Sequence, residues 1–151
     1  MKDVIICKYM EKYTERHNDN NGIKIIQTLS ENGEIIIENK SYPIEFGSLY
    51  FIDCFQKYSV IPKEKDTYRQ NIIVISREFL NNLAELLDFT KEAGDIFKNG
   101  YFLSVKHYKI IDDCFKKMSS VYNSEKVFSK ALFTAKFLEL LNYAVYSLSQ
   151  L

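Results

Sequence analysis

The chain has 151 residues, 46% of them hydrophobic and 15% aromatic, and its 20 basic and 20 acidic side chains cancel. That composition excludes a disordered polypeptide and suffices for one core without disulfides or a structural metal. Zero net charge, with no run of Lys or Arg longer than a pair, argues against a chain that grips nucleic acid by itself, because neutralising phosphates takes a basic excess.

The first half reads as β structure, with short runs of Ile, Val, Tyr and Phe separated by turn signals. Strands are expected from Val4 to Tyr13 and, after the polar stretch Arg16–Gly22, from Ile23 to Leu29. Asn32-Gly33 supplies a turn that tolerates positive φ and leads into Glu34–Glu38. Further strands are expected over Ser41–Ile44, Leu49–Ile52, Tyr58–Ile61 and Tyr68–Ile75, which together make a small antiparallel barrel or sandwich.

At Ser76 the hydrophobic period changes to 3.6 residues. Ser76 is a good N-cap for a helix over Arg77–Phe89, with Phe79, Leu80, Leu83, Leu86 and Leu87 on one side. Gly94 and Gly100 bracket a loop, a helix follows from about Val105 to Val121, and Ser124 caps a last helix over Glu125–Leu148. The reading is thus residues 1–75 as the β part and residues 76–151 as a helical part packed on it, forming one structural domain.

The last helix has two apolar stripes: Phe128, Ala131, Ala135, Leu138, Leu141 and Val145 form one, and Phe133, Phe137, Leu140 and Ala144 the other. Two apolar sides need two partners. Either both meet the chain's own domain, or the second stripe meets a second copy; the expectation here is the dimer contact. The helix still running at Leu151 is what a longer protein cut at this point would show.

Cys7, Cys54 and Cys114 are odd in number, far apart and without a CxxC pair, a pattern suited to a reducing cytosol, and each reads as a buried structural thiol. No signal peptide is evident at the start, and no stretch reaches the roughly 20 apolar residues of a membrane span. A soluble, cytoplasmic protein is expected.

For chemistry the sequence offers little. The only histidines are His17 and His107, too few for a His-rich metal site, so no metal or cofactor is expected. There is no nucleophile elbow and no phosphate-cradling glycine loop, and no enzymatic activity is assigned. What remains is the barrel interior. Tyr9, Tyr13, Tyr42, Tyr50, Phe51, Tyr58 and Tyr68 lie on or beside strands, where each could serve as a core and cross-strand partner or line a pocket for a small organic ligand. The ligand-binding set chosen is Tyr9, Tyr50 and Tyr58, with Arg16, His17, Lys24 and Gln27 as polar anchors.

The run Ile23–Leu29, followed by Gly33–Ile52 with its Tyr42-Pro43-Ile44 and Gly47-Ser48-Leu49, resembles the N-terminal cupin domain of AraC/XylS-type transcription regulators. Arg69–Leu80 is similar to that family's strand running into a first helix. The resemblance implies an α+β fold, a cupin (double-stranded β-helix-like) barrel followed by about three helices, that senses a small-molecule effector and dimerises through its last helix. It implies also that DNA is a partner only through a C-terminal helix-turn-helix half absent from these 151 residues. The family's frequent His-x-His and Glu are here His17, Asp19 and Lys24, a departure that counts against metal-dependent cupin chemistry. The alternative is a stand-alone cupin, either a sugar-binding protein or an isomerase-type enzyme.

Overall fold

A computed structural model describes residues 3–11, 22–102 and 107–149. Eight strands and four helices follow one another as β1 (Val4–Glu11), β2 (Ile23–Thr28), β3 (Gly33–Ile37), β4 (Lys40–Pro43), β5 (Leu49–Ile52), β6 (Tyr58–Pro62), β7 (Arg69–Ile75), α1 (Arg77–Leu87), α2 (Thr90–Asn99), β8 (Tyr101–Phe102), α3 (Tyr108–Tyr122) and α4 (Ser129–Ser149). The strands form two antiparallel sheets, one ordered β1-β7-β2-β5-β8 and the other β4-β3-β6. The α+β expectation thus holds, but among the described residues no ladder joins the sheets into a closed barrel.

Three layers result. β2 and β5 are buried at every position, the pattern of strands covered on both faces. Side chains alternate across a strand. Ile25, Phe51 and Ile73 therefore meet the helices, while Ile26, Ile52 and Val74 meet Ile35, Ile37 and Val60 of the smaller sheet. The five-stranded sheet is the middle layer, with the helices on one side and the three-stranded sheet on the other.

The β-to-α switch falls where the period places it. Ser76 Oγ accepts the Phe79 backbone N–H at 3.1 Å, capping α1. The side that α1 buries is narrower than its apolar stripe, since Phe79, Leu80 and Ala84 are inside while Leu86 and Leu87 are 78% and 50% exposed. The loop expected between Gly94 and Gly100 is instead the second half of α2, which ends on Gly100 in the left-handed conformation. β8 then adds Tyr101 to the sheet edge beside Tyr50, so the helical half contributes a strand as well. α4 begins at Ser129 rather than just after Ser124, and Ser129 Oγ accepts the Lys126 N–H at 2.9 Å.

Gly94 has nothing within 4 Å of the position a Cβ would take. Gly94→Ala is therefore expected to stabilise the fold by about 0.5–1 kcal/mol, through the cost of a mid-helix glycine. The variant's urea midpoint should rise at unchanged slope, and a lower midpoint would show that α2 needs the glycine.

Candidate functional site

The candidate site lies at one end of the layer between the sheets. Lys24 of β2, opposite Ile52 and Val74, shares its strand face with Ile26 and so points into that layer. It is only 3% exposed, donates from Nζ to the Gly22 carbonyl at 3.1 Å, and lies 5.7 Å from the centre of the Tyr58 ring. Burial pulls its pKa below the ordinary lysine value, and the nearby Cys54 and Asp53 oppose that pull. Asp53, just past the end of β5, is paired with Arg77 at 2.7 Å, and its Oδ1 also accepts the Cys54 N–H at 2.8 Å. The guanidinium of Arg77 in turn covers the Phe97 ring at 5.4 Å.

Tyrosines continue the layer. Tyr50 is fully buried, its hydroxyl donates to the Pro43 carbonyl, and burial raises its pKa well above the usual tyrosine range. Tyr101 lies 5.3 Å from Tyr50 and stacks at 5.3 Å on Tyr42. Tyr68, also buried, donates to Gln70 Oε1 at 2.7 Å. Rings and aliphatic side chains from both sheets thus form one largely apolar body, with the neutral Gln70 and Thr28 buried in it and Lys24 at its border.

The predicted binding set does not gather at one place. Lys24, Tyr50 and Tyr58 belong to the intersheet layer, whereas Gln27 and Tyr9 do not. Gln27 has the opposite parity to Lys24 and is fully buried toward the helices. Its Nε2 donates to the Tyr108 carbonyl at 3.0 Å, and its Oε1 accepts from Asn71 Nδ2 at 2.9 Å. Asn71 also donates to Asp112 Oδ1 at 2.8 Å, and Asp112 pairs with Lys116 at 2.9 Å. Gln27 is therefore a strut between the middle sheet and α3 rather than an anchor for a ligand in the intersheet layer. Tyr9 stands 46% exposed on β1, opposite Asn71. Arg16, His17 and Tyr13 lie outside the described residues.

The predicted dimer contact is corrected more sharply. Phe133, Phe137, Leu140 and Ala144 are all at 0% exposure, packed in the chain's own core with Phe79, Ile111, Phe115 and Met118. A side chain with no accessible surface cannot also touch a second copy.

Two thiols, Cys7 and Cys114, are buried, and desolvation pushes them up to about 12 and about 11 respectively. Cys54, in contrast, is only partly covered. Among the described residues no group of three or more His, Cys, Asp and Glu is placed to hold a metal ion, and His107 packs on Tyr143 with ring centres 5.1 Å apart. Asp53 and Arg77 were not singled out by the sequence, although their places at the end of β5 and the start of α1 were. Among the described residues no helix is long and apolar enough to cross a membrane.

Neither a family model nor a curated protein matches the chain. Solved structures do. ToxT from Vibrio cholerae bound to (E)-4-(8-methylnaphthalen-1-yl)but-3-enoic acid is 16% identical over 91% of this chain and 55% of its own, with a TM-score of 0.51. A second ToxT structure is 18% identical over 95% of this chain and 58% of its own, at 0.49. The plu4264 protein of Photorhabdus luminescens is 17% identical over 55% and 63% at 0.35. The chain thus shares a fold with ToxT, and it spans 55 to 63% of the length of these structures.

Proposed function

We propose that the chain is the effector-sensing and dimerising domain of an AraC-like transcription regulator, and that its effector is a small organic acid held between the two sheets. ToxT, whose fold it shares, is an AraC-family regulator, and one ToxT structure contains an aryl-alkenoic acid. The observation that carries the reading is Lys24, a buried cation at the border of a mostly apolar and aromatic layer whose buried polar side chains Thr28 and Gln70 are neutral. An ammonium that has lost hydration gains more from an incoming carboxylate than one in water does. The rings of Tyr58 and Tyr50 would lie along the ligand's apolar body. Differential affinity for two arrangements of the middle sheet would pass to α3 through Gln27, Asn71 and Asp112. On this reading the protein works in the cytoplasm, DNA contacts belong to a separate part, and the stand-alone cupin is the less favoured alternative.

The acid seen with ToxT is a suitable probe. Lys24→Met keeps most of the side-chain volume and removes the charge. It is expected to raise the Kd of that acid at least tenfold, or about 1.4 kcal/mol. Binding should also weaken as pH rises through the lowered pKa of Lys24, because only the protonated amine pairs with a carboxylate. No detectable binding to the folded wild type, or equal binding by Lys24→Met, would overturn the reading.

A further inference from the structure

The intersheet layer has a second polar end. Along β2 the side chains of Lys24, Ile26 and Thr28 share the face toward the smaller sheet. Thr28 stands opposite Gln70 of β7, and its backbone N–H donates to the carbonyl of Ser48, just before β5, at 3.0 Å. Thr28, Ser48 and Gln70 are each at most 2% exposed, and all three are neutral. Gln70 accepts from Tyr68 and donates to the Met10 sulfur, and Thr28 Oγ1 donates to the Glu45 carbonyl at 2.6 Å. Ser48 differs. Its Oγ lies beside the hydroxyls of Tyr50 and Tyr101, yet it is the one buried side-chain N or O among the described residues that no hydrogen bond satisfies. A native fold rarely leaves a fully buried hydroxyl in that state, because the lost hydration is not replaced.

We propose that the Ser48 hydroxyl is the effector's second anchor, and that the effector is an acid carrying a hydroxyl at the end remote from its carboxylate. The inference rests on the reading of Lys24 given above and extends it to the far end of the ligand.

Hydrogen-bonding capacity selects the group. The Thr28 proton is directed at the Glu45 carbonyl and the Tyr50 proton at the Pro43 carbonyl, so both oxygens offer only lone pairs, whereas Ser48 has a proton and lone pairs uncommitted. A hydroxyl, which donates and accepts at one atom, matches that set. A second carboxylate would find too few donors and would meet the half-buried Glu45 side chain. Distance selects the length. Residues 24 and 28 lie about 13 Å apart along the strand, and Lys24 Nζ leans toward Gly22, away from Thr28. An extended acid of about ten carbons spans that distance. Between the two ends Ile26 stands beside Tyr50 and Ile72, an apolar stretch suited to the ligand's body. Among the described residues no ladder joins the two sheets, so a chain inserted between them parts them without breaking strand pairing.

Decanoic acid and 10-hydroxydecanoic acid differ only in the terminal hydroxyl, and calorimetric titration of both into the full chain and into Ser48→Ala tests the assignment. Wild type is expected to bind the hydroxy acid at least tenfold more tightly than decanoic acid. Ser48→Ala should bind the two acids alike, with its affinity for decanoic acid unchanged. Its urea midpoint should not fall, because the hydroxyl has no bond to lose. Equal binding of the two acids by wild type, a preference retained by Ser48→Ala, tighter binding of 10-aminodecanoic acid than of the hydroxy acid, or a lowered midpoint for Ser48→Ala would each overturn the proposal. Decanoic acid bound in a Lys24-dependent way without preference for the hydroxyl defeats this inference alone, whereas a folded wild type that binds none of the acids defeats the effector reading with it.

Discussion

Phe137→Ala is expected to cost about 4 kcal/mol of folding stability, the usual range for emptying a fully buried phenylalanine site. At this chain length that corresponds to a melting temperature lower by roughly 10–15 °C. The ring has no exposed surface, lies 6.0 Å from Phe79 of α1 and 6.5 Å from Phe133 one turn earlier, and belongs to the core that α4 shares with α3 and the middle sheet. The same residue as a dimer contact would behave differently. Its truncation would then weaken association, and the melting temperature would move only at concentrations where the dimer forms. A drop independent of protein concentration is the expected result. A change of less than about 2 °C would show that α4 does not pack as described.

The two stripes of α4 show what the sequence could and could not decide. Both are apolar and both follow helical spacing, so period alone leaves open which one faces the core. Volume carries part of the missing signal: in the first half of the helix the inner stripe holds Phe133 and Phe137 where the other holds Ala131 and Ala135, and further along Leu138 is half-buried and Leu141 buried. A close-packed interior is filled first by the larger side chains. Exposure adds what spacing does not show: Phe128, Ala131 and Ala135 of that other stripe are exposed, whereas its Leu141 is buried in the core and its Val145 packs against it.

The candidate site divides for a reason that parity already contains. Residues 24 and 27 of one strand point to opposite sides, so Lys24 and Gln27 could not both anchor a ligand in one cavity. The β half was otherwise legible nearly strand by strand, because Asn-Gly, Pro and Gly mark its turns and the strand runs are β-branched. α2 escaped because Gly94 breaks an otherwise plain helical segment, and an exposed glycine costs a helix too little to stop it. β8, two residues long, has no periodicity to read. It exists because Tyr101 finds Tyr50 and Tyr42 at the edge of the sheet.

Gly33→Ala is the substitution with the largest expected effect outside the helical core. Gly33 opens β3 directly after Asn32, and both have positive φ, 124° and 71°. Asparagine tolerates its value, whereas φ near 124° is essentially open to glycine alone. Space is as restrictive as conformation. A Cβ on residue 33 would lie 2.4 Å from the Ile61 carbonyl oxygen and 2.8 Å from Pro62 Cα, both backbone atoms of the neighbouring β6, where nothing can rotate aside. The same turn holds three backbone bonds: Asn32 N–H to the Ile44 carbonyl at 3.1 Å, Ile44 N–H to the Gly33 carbonyl at 3.0 Å, and Lys63 N–H to the Asn32 carbonyl at 3.2 Å. Pushing β3 away from β6 therefore disturbs both ladders of the smaller sheet, and with them the position of Tyr58 against Lys24. A loss of about 3 kcal/mol or more is expected, since strain and a backbone clash act together. Chemical denaturation reads it as a strongly lowered midpoint, accompanied by weaker binding of the acid probe in the fraction that remains folded. Asn32→Gly, which keeps the conformation available and adds no atom, should change the stability by less than about 1 kcal/mol. Equal midpoints for Gly33→Ala and wild type would mean that the turn and the β3–β6 contact are not as drawn.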